Sequence, residues 1–168
     1  MKSVKKTALS ALLAALSVTV MYAGSMFGKI DIATAVISSV CVMICLGETG
    51  YLRAVGVYAV TTVLSFILVP AKTAVIMFAV LFGMYPVVKT FSESRLSKAW
   101  AYILKYIYLN ISVIVLTIIA SAFSAKIPWY AVCAVFVLSN LLLPVYDAAL
   151  KIVISFWYAK IRPKSFFM

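Results

Sequence analysis

The sequence predicts an all-α, polytopic membrane protein: six transmembrane helices in one bundle, with both termini cytoplasmic. Three observations predict it. Six charge-free apolar runs, Ala8–Phe27, Ile32–Gly47, Ala54–Ala71, Thr73–Val88, Tyr106–Ala125 and Ile127–Tyr146, are each closed off by charged residues. A hydrocarbon core about 30 Å thick needs roughly 20 apolar residues per helix, with about 17 near the lower limit. The chain of 168 residues is 66% hydrophobic and 11% charged, where a soluble domain carries about 25% charged residues. The basic residues are also one-sided. With the N-terminus in the cytoplasm, only Lys29, Lys72 and Lys126 fall outside, and every other lysine and arginine falls inside, as the positive-inside rule requires.

In order, the spans fall at about 7–27, 32–47, 53–70, 73–88, 103–125 and 128–150, one transmembrane domain over residues 1–168. The first follows Lys2, Lys5 and Lys6 and imitates a signal peptide ending at Ala23-Gly24-Ser25. Its apolar run is too long for a typical signal core, so it is expected to remain a span. Gly28-Lys29-Ile30-Asp31 makes a tight outer turn into a short second span, and Glu48–Arg53 is a polar inner turn. Pro70-Ala71-Lys72 turns the chain into a short fourth span. Lys89–Lys105 reads as the largest loop, its second half, Leu96–Lys105, suited to a short interfacial helix. Lys126 and Pro128 form the last outer turn, beside the interfacial aromatics Trp129 and Tyr130. Short turns make consecutive spans antiparallel neighbours. Pro144 is expected to kink the sixth span. Asp147 and Lys151 stand four residues apart beyond it, in reach of pairing, and residues 151–168 read as an interfacial segment. No internal repeat supports an inverted-repeat transporter.

Composition excludes several classes of function. The net charge of +11 reads as topology and attraction to anionic lipid, not as nucleic-acid binding. The sequence has no histidine, which removes histidine-based acid–base chemistry. The four acids, Asp31, Glu48, Glu93 and Asp147, are scattered over both sides and cannot form a dyad. There is no phosphate-binding glycine loop, so no enzyme is expected. With no acid in the spans before Asp147, a proton relay lacks carriers. Cys41, Cys45 and Cys133 lie in spans without a neighbouring carboxylate. They read as small buried hydrophobes, and neither a metal nor another cofactor is expected.

The informative residues are polar ones at helical spacing. Tyr58, Thr61, Thr62 and Ser65 share a face of the third span that Lys72 continues. Asn110, Thr117, Ser121 and Ser124 share one in the fifth, Cys133, Asn140 and Asp147 in the sixth, and Thr34, Ser38, Cys41 and Cys45 in the second. Such stripes turn from lipid toward the protein interior or a cavity. The candidate substrate-binding set is therefore Tyr58, Thr62, Ser65, Lys72, Asn110 and Asn140, with Lys29 and Lys126 joining Lys72 in a cationic ring at the outer mouth. The bland alternatives are local. A hydroxyl can bond the carbonyl one turn back, an asparagine can join two helices, and an outer lysine can reach the headgroups. On the first span, Ala8, Ala11 and Ala15 form a small-residue face that allows close approach of another helix, from this chain or a partner.

These features, with Thr7–Ala15 and the stretch Pro70-Ala71-Lys72…Phe82-Gly83-Met84-Tyr85-Pro86, make the chain resemble the substrate-binding S components of energy-coupling-factor vitamin transporters. The resemblance covers length, six spans, inside termini and the basic N-terminus. It implies a bacterial cell-membrane location and a small molecule bound near the outer face. It also implies a coupling membrane subunit docked on Ala11 and Ala15, and two ATPase subunits that drive release. The tight first outer turn departs from the family pattern, in which a longer loop often lids the site. Two expectations follow: a solute-binding uptake subunit with an outward-opening cavity lined by the third, fifth and sixth spans, or a non-transporting accessory protein that stabilises or regulates a membrane partner. No residue pattern assigns a vitamin.

Overall fold

Six helices in the computed structural model are long and apolar enough to cross a membrane, and every regular element among the described residues is helical. The structure describes residues 2–27, 30–123 and 129–161. The elements are α1 (Lys2–Ser25), α2 (Asp31–Thr49), α3 (Tyr51–Leu68), α4 (Lys72–Met77), α5 (Tyr85–Arg95), α6 (Lys98–Phe123) and α7 (Trp129–Phe156). π-helical segments lie at Phe78–Phe82 and Trp157–Ile161. By its contacts the chain divides into two compact units, Met1–Val87 with Ala149–Met168, and Val88–Ala148.

The first unit is built on the pairing of α1 with α2. Ser10, Ser17 and Gly24 recur at seven-residue spacing along α1, and each meets a small or polar partner on the antiparallel α2. Ser17 Oγ donates to the Ser38 carbonyl at 3.4 Å, and Ser38 Oγ donates back to the Ser17 carbonyl at 3.1 Å. Ser10 Oγ and Cys45 Sγ lie 3.5 Å apart. At Gly24 the Thr34 side chain occupies the space that a Cβ would take. Small residues let two backbones approach closely, which is how apolar helices associate when burying more apolar surface brings little gain. Leu13, Ala14, Val18 and Met21 fill the rest of the seam, and Ala35, Val42, Cys45, Ala54, Val75 and Phe78 extend the core into α2, α3, α4 and the first π-helical segment. Ser65 of α3 reaches Met21 Sδ at 3.5 Å.

The turns are tighter than the sequence suggests. The expected polar turn Glu48–Arg53 shrinks to Gly50 alone, between α2 and α3. Its φ of 97° lies where residues other than glycine are strained. The fourth span is not one helix. Its π-helical segment is closed by the Gly83 N–H donating to the Phe78 carbonyl at 2.7 Å, and Gly83-Met84 then turns the chain into α5. Tyr58 explains the break: its hydroxyl donates to the Ala79 carbonyl at 2.7 Å, and its ring fills the place of a Gly83 Cβ. Pro86 follows at the second position of α5, where a missing N–H matters little. The segment Phe82-Gly83-Met84-Tyr85-Pro86 is thus a helix break moulded around Tyr58.

Two expectations are corrected. The loop expected over Lys89–Lys105, with a short helix in its second half, does not exist. Helix α5 runs to Arg95, only Leu96 and Ser97 intervene, and α6 begins at Lys98. In the sequence the charges there mark the ends of spans, whereas in the structure they lie inside longer helices. Residues 151–161, expected as a separate interfacial segment, continue α7 and its π-helical end; residues 162–168 lie outside the described residues.

The α1–α2 seam makes Gly24 and Gly56 opposites. A Gly24→Leu substitution should lower stability by about 1–3 kcal/mol, as overpacking does, and shift thermal unfolding in detergent downward. Gly56 has open space around it, so Gly56→Ala should be neutral or raise stability by about 0.5–1 kcal/mol.

Candidate functional site

The densest polar cluster is in the second unit, where α5, α6 and α7 each contribute charges. Asp147 of α7 accepts from Lys89 of α5 at 2.7 Å through Oδ1 and from Lys105 of α6 at 3.2 Å through Oδ2. Lys89 Nζ also donates to the Asp147 backbone carbonyl at 2.7 Å. Lys105 makes a further pair with Glu93 of α5 at 2.6 Å, and its ammonium lies 5.3 Å from the Tyr102 ring centre. Both lysines are almost fully buried, as is Asp147, while the Glu93 side chain is 36% exposed. A charge taken from water needs close partners, because burial alone is far more costly than any single pair repays. Here two ammonium groups and two carboxylates balance, so the set can remain ionised in apolar surroundings. It joins three helices.

A second polar contact lies further along α6 and α7. Asn140 Nδ2 donates to Asn110 Oδ1 at 3.0 Å and to the Phe136 carbonyl at 2.8 Å. Asn110 Nδ2 donates to the Tyr106 carbonyl at 2.9 Å and to Asn140 Oδ1 at 3.5 Å. The two amides therefore satisfy one another and their own helices. Beside them Tyr106, Phe136, Val137, Asn140 and Leu141 line a shallow open groove of about 510 Å³. Pro144, inside α7, has no N–H to offer the Asn140 carbonyl one turn back.

The remaining candidates are distributed as follows. Tyr58 bonds the π-helical segment, Thr62 donates to the Tyr58 carbonyl at 2.8 Å, and Ser65 faces Met21. Thr61 is fully buried, and its hydroxyl has no hydrogen-bond partner among the described residues. Lys72 does not reach toward a cavity. Its ammonium folds back on the C-terminal end of α3, donating to the carbonyls of Phe66 at 2.5 Å and Val69 at 2.9 Å, where a cation meets the negative end of the helix dipole. Lys29 and Lys126, the other members of the expected cationic ring, lie outside the described residues. Thr117 and Ser121 bond carbonyls within their own helix, and Ser124 lies outside the described residues. Cys41 and Cys45 are buried as expected, but Cys133 is exposed. Among the described residues no cluster of potential metal ligands occurs.

On α1 the sequence selects a small-residue face, and the structure buries a different one. Ala8, Ala11 and Ala15 are exposed, while Ser10, Leu13, Ala14, Ser17, Val18, Met21 and Gly24 turn inward. The charged cluster was also missed. Lys89, Lys105 and Asp147 stand at the ends of apolar runs, where a cation reads as a loop or headgroup residue. The available signal was their balance: Lys89, Glu93, Lys105 and Asp147 sum to zero. Comparison with known proteins gives no match: no family model fits the chain, no curated protein is similar to it, and no solved structure matches it.

Removing Asp147 leaves two buried lysines with one half-exposed carboxylate. Asp147→Ala should destabilise the protein by about 3–5 kcal/mol, the range for breaking a buried pair, and Glu93→Gln by less, because the Glu93 side chain is 36% exposed and Lys105 keeps Asp147. Equal shifts in detergent melting temperature would contradict the burial difference. A double-mutant cycle on Asn110→Leu and Asn140→Leu should give a coupling of roughly 0.6–1.7 kcal/mol, the scale measured for polar pairs between membrane helices.

Proposed function

We propose that this chain is an integral membrane protein with both termini cytoplasmic, and that it serves as the substrate-binding subunit of a small-solute uptake transporter energised by a separate ATPase module. The observation that carries the reading is the exposed face of α1. Ala8, Ala11 and Ala15 stand clear of the chain's own core, and a coupling membrane subunit approaching this face meets no side chain larger than a methyl at those positions. The orientation rests on Lys5, Lys6, Arg53, Arg95, Lys98 and Lys151, which gather on the N-terminal side under this topology. Lys89 and Lys105 contribute less to it, because their charges are neutralised internally.

One observation favours a second reading. Tyr58, Thr62, Lys72, Asn110 and Asn140 all direct polar atoms to partners within the chain. A non-transporting accessory subunit, docking through the same face of α1, needs no ligand site and fits that economy of polar groups.

Affinity purification in mild detergent, followed by mass spectrometry of proteins and small molecules, separates the two. The transport reading expects ATPase subunits and a retained solute, and the accessory reading an unrelated membrane protein and no solute. Ala11→Leu and Ala15→Leu should abolish recovery of the partner while leaving the melting temperature unchanged, since both sites are exposed. Unaltered partner recovery in both variants removes α1 as the docking element.

A further inference from the structure

Helices α5 and α6 meet at a turn of two residues, Leu96 and Ser97, and the cations on either side of it are left over once the buried charges are paired. Glu93 is the sole acid between Glu48 and Asp147 in the sequence, and its carboxylate is taken by Lys105 at 2.6 Å. Lys89 and Lys105 share the carboxylate of Asp147. No acid of the second unit therefore remains for Arg95, at the end of α5, or Lys98, at the start of α6. Both are exposed, and neither has an ion-pair partner among the described residues. Other cations are engaged: Lys72 donates to carbonyls of α3, and Lys5, Arg53 and Lys151 interact within the chain.

The position of these two cations limits what can meet them. Arg95 ends one long apolar stretch and Lys98 begins the next, which puts both at the level where hydrocarbon gives way to headgroups. Phe91, Leu96, Trp100 and Tyr102 stand exposed beside them. Trp and Tyr favour that level, because such a ring is apolar in its body and polar at one edge. The Arg95 guanidinium lies 5.8 Å from the centre of the Phe91 ring, a cation–π contact that sets the charge against an apolar surface. A soluble anionic partner would reach these side chains only through the headgroups. A phospholipid brings a phosphate and an apolar chain together at this level.

We propose that the α5–α6 turn is a binding site for an anionic phospholipid, with the headgroup phosphate met by Arg95 and Lys98 and the acyl chains lying against Phe91 and Trp100. A guanidinium offers paired N–H donors that match a phosphate, and an ammonium adds a compact charge. Glu93 does not compete for these cations, because Lys105 holds it. Each basic residue at an anionic membrane surface strengthens binding about fivefold, so two favour an anionic lipid over a net-neutral one by roughly 20–30-fold. The site does not depend on the transport reading; it holds equally for an accessory subunit.

Native mass spectrometry of the full chain in mild detergent tests it, with titration by palmitoyl-oleoyl phosphatidylglycerol or by phosphatidylcholine of the same chains. Phosphatidylglycerol should bind the more tightly in the first step. Arg95→Gln and Lys98→Gln should each lower that affinity about fivefold, and together roughly 20–30-fold, while phosphatidylcholine binding stays unchanged. The control Lys5→Gln/Lys6→Gln removes as much charge from the first unit and should leave the first step almost unaltered. Excess inorganic phosphate should not displace the bound lipid. Both cations are exposed, so neither substitution should move the melting temperature. Equal affinity for the two lipids in the unaltered chain overturns the proposal, whatever the variants do. So does a loss in the Lys5/Lys6 control as large as that in the Arg95/Lys98 pair. Displacement by inorganic phosphate overturns it as well, since the turn then takes a free anion and not a lipid.

Discussion

Everything in this structure follows from one constraint: helices that are apolar on every side give a polar side chain nowhere to turn except to another part of the same protein. The serine pair of α1 and α2, the asparagine pair of α6 and α7, and the lysine–aspartate cluster of α5, α6 and α7 are three answers to it. In each case two or more helices become joined because their polar groups have no better partner. Apolar burial alone does not select one neighbour over another here, since many large apolar side chains are exposed as well. Leu12, Leu16, Val137 and Leu141 are all exposed, whereas Leu13, Val42 and Val75 are buried. The difference lies in what stands beside them, small and polar residues that allow or demand close contact.

The charged cluster shows the constraint at its most severe. Two lysines and an aspartate are removed from solvent, and the arrangement closes only because Glu93 supplies the second negative charge from the edge. A buried ion pair is weak evidence for net stability, because desolvation offsets much of what the pairing returns. The cluster defines which faces of three helices meet.

How much of this was legible differs by feature. The six apolar runs are visible directly, because a stretch long enough to cross a bilayer needs no context to be recognised. The second-span stripe of Thr34, Ser38, Cys41 and Cys45 was also readable, and all four are buried. The choice of face on α1 was not. Alanines at 8, 11 and 15 and the Ser10–Ser17–Gly24 series are both small-residue stripes, and only the presence of serines and a glycine opposite Thr34 favours the second. The polar residues of α3 were recognised as a set, but their use in a helix break depended on Tyr58 meeting Gly83, a contact between distant parts of the chain. A cation after an apolar run, such as Lys72, can reach in several directions, and the open carbonyls of Phe66 and Val69 decide which.

The sequence by itself determined the class of protein, the number of long apolar helices and the identity of the few residues that matter, because hydropathy and charge are properties of a linear stretch. Only the tertiary structure decided who pairs with whom. Asp147 has a lysine four residues away in sequence, and its carboxylate is also met by Lys89 and Lys105 from two other helices. Their helices reach it only because α5 and α6 run on past the charges that, in sequence, marked the ends of the spans. Partner choice for a buried charge is a matter of distance in space, and spacing along the chain does not contain it.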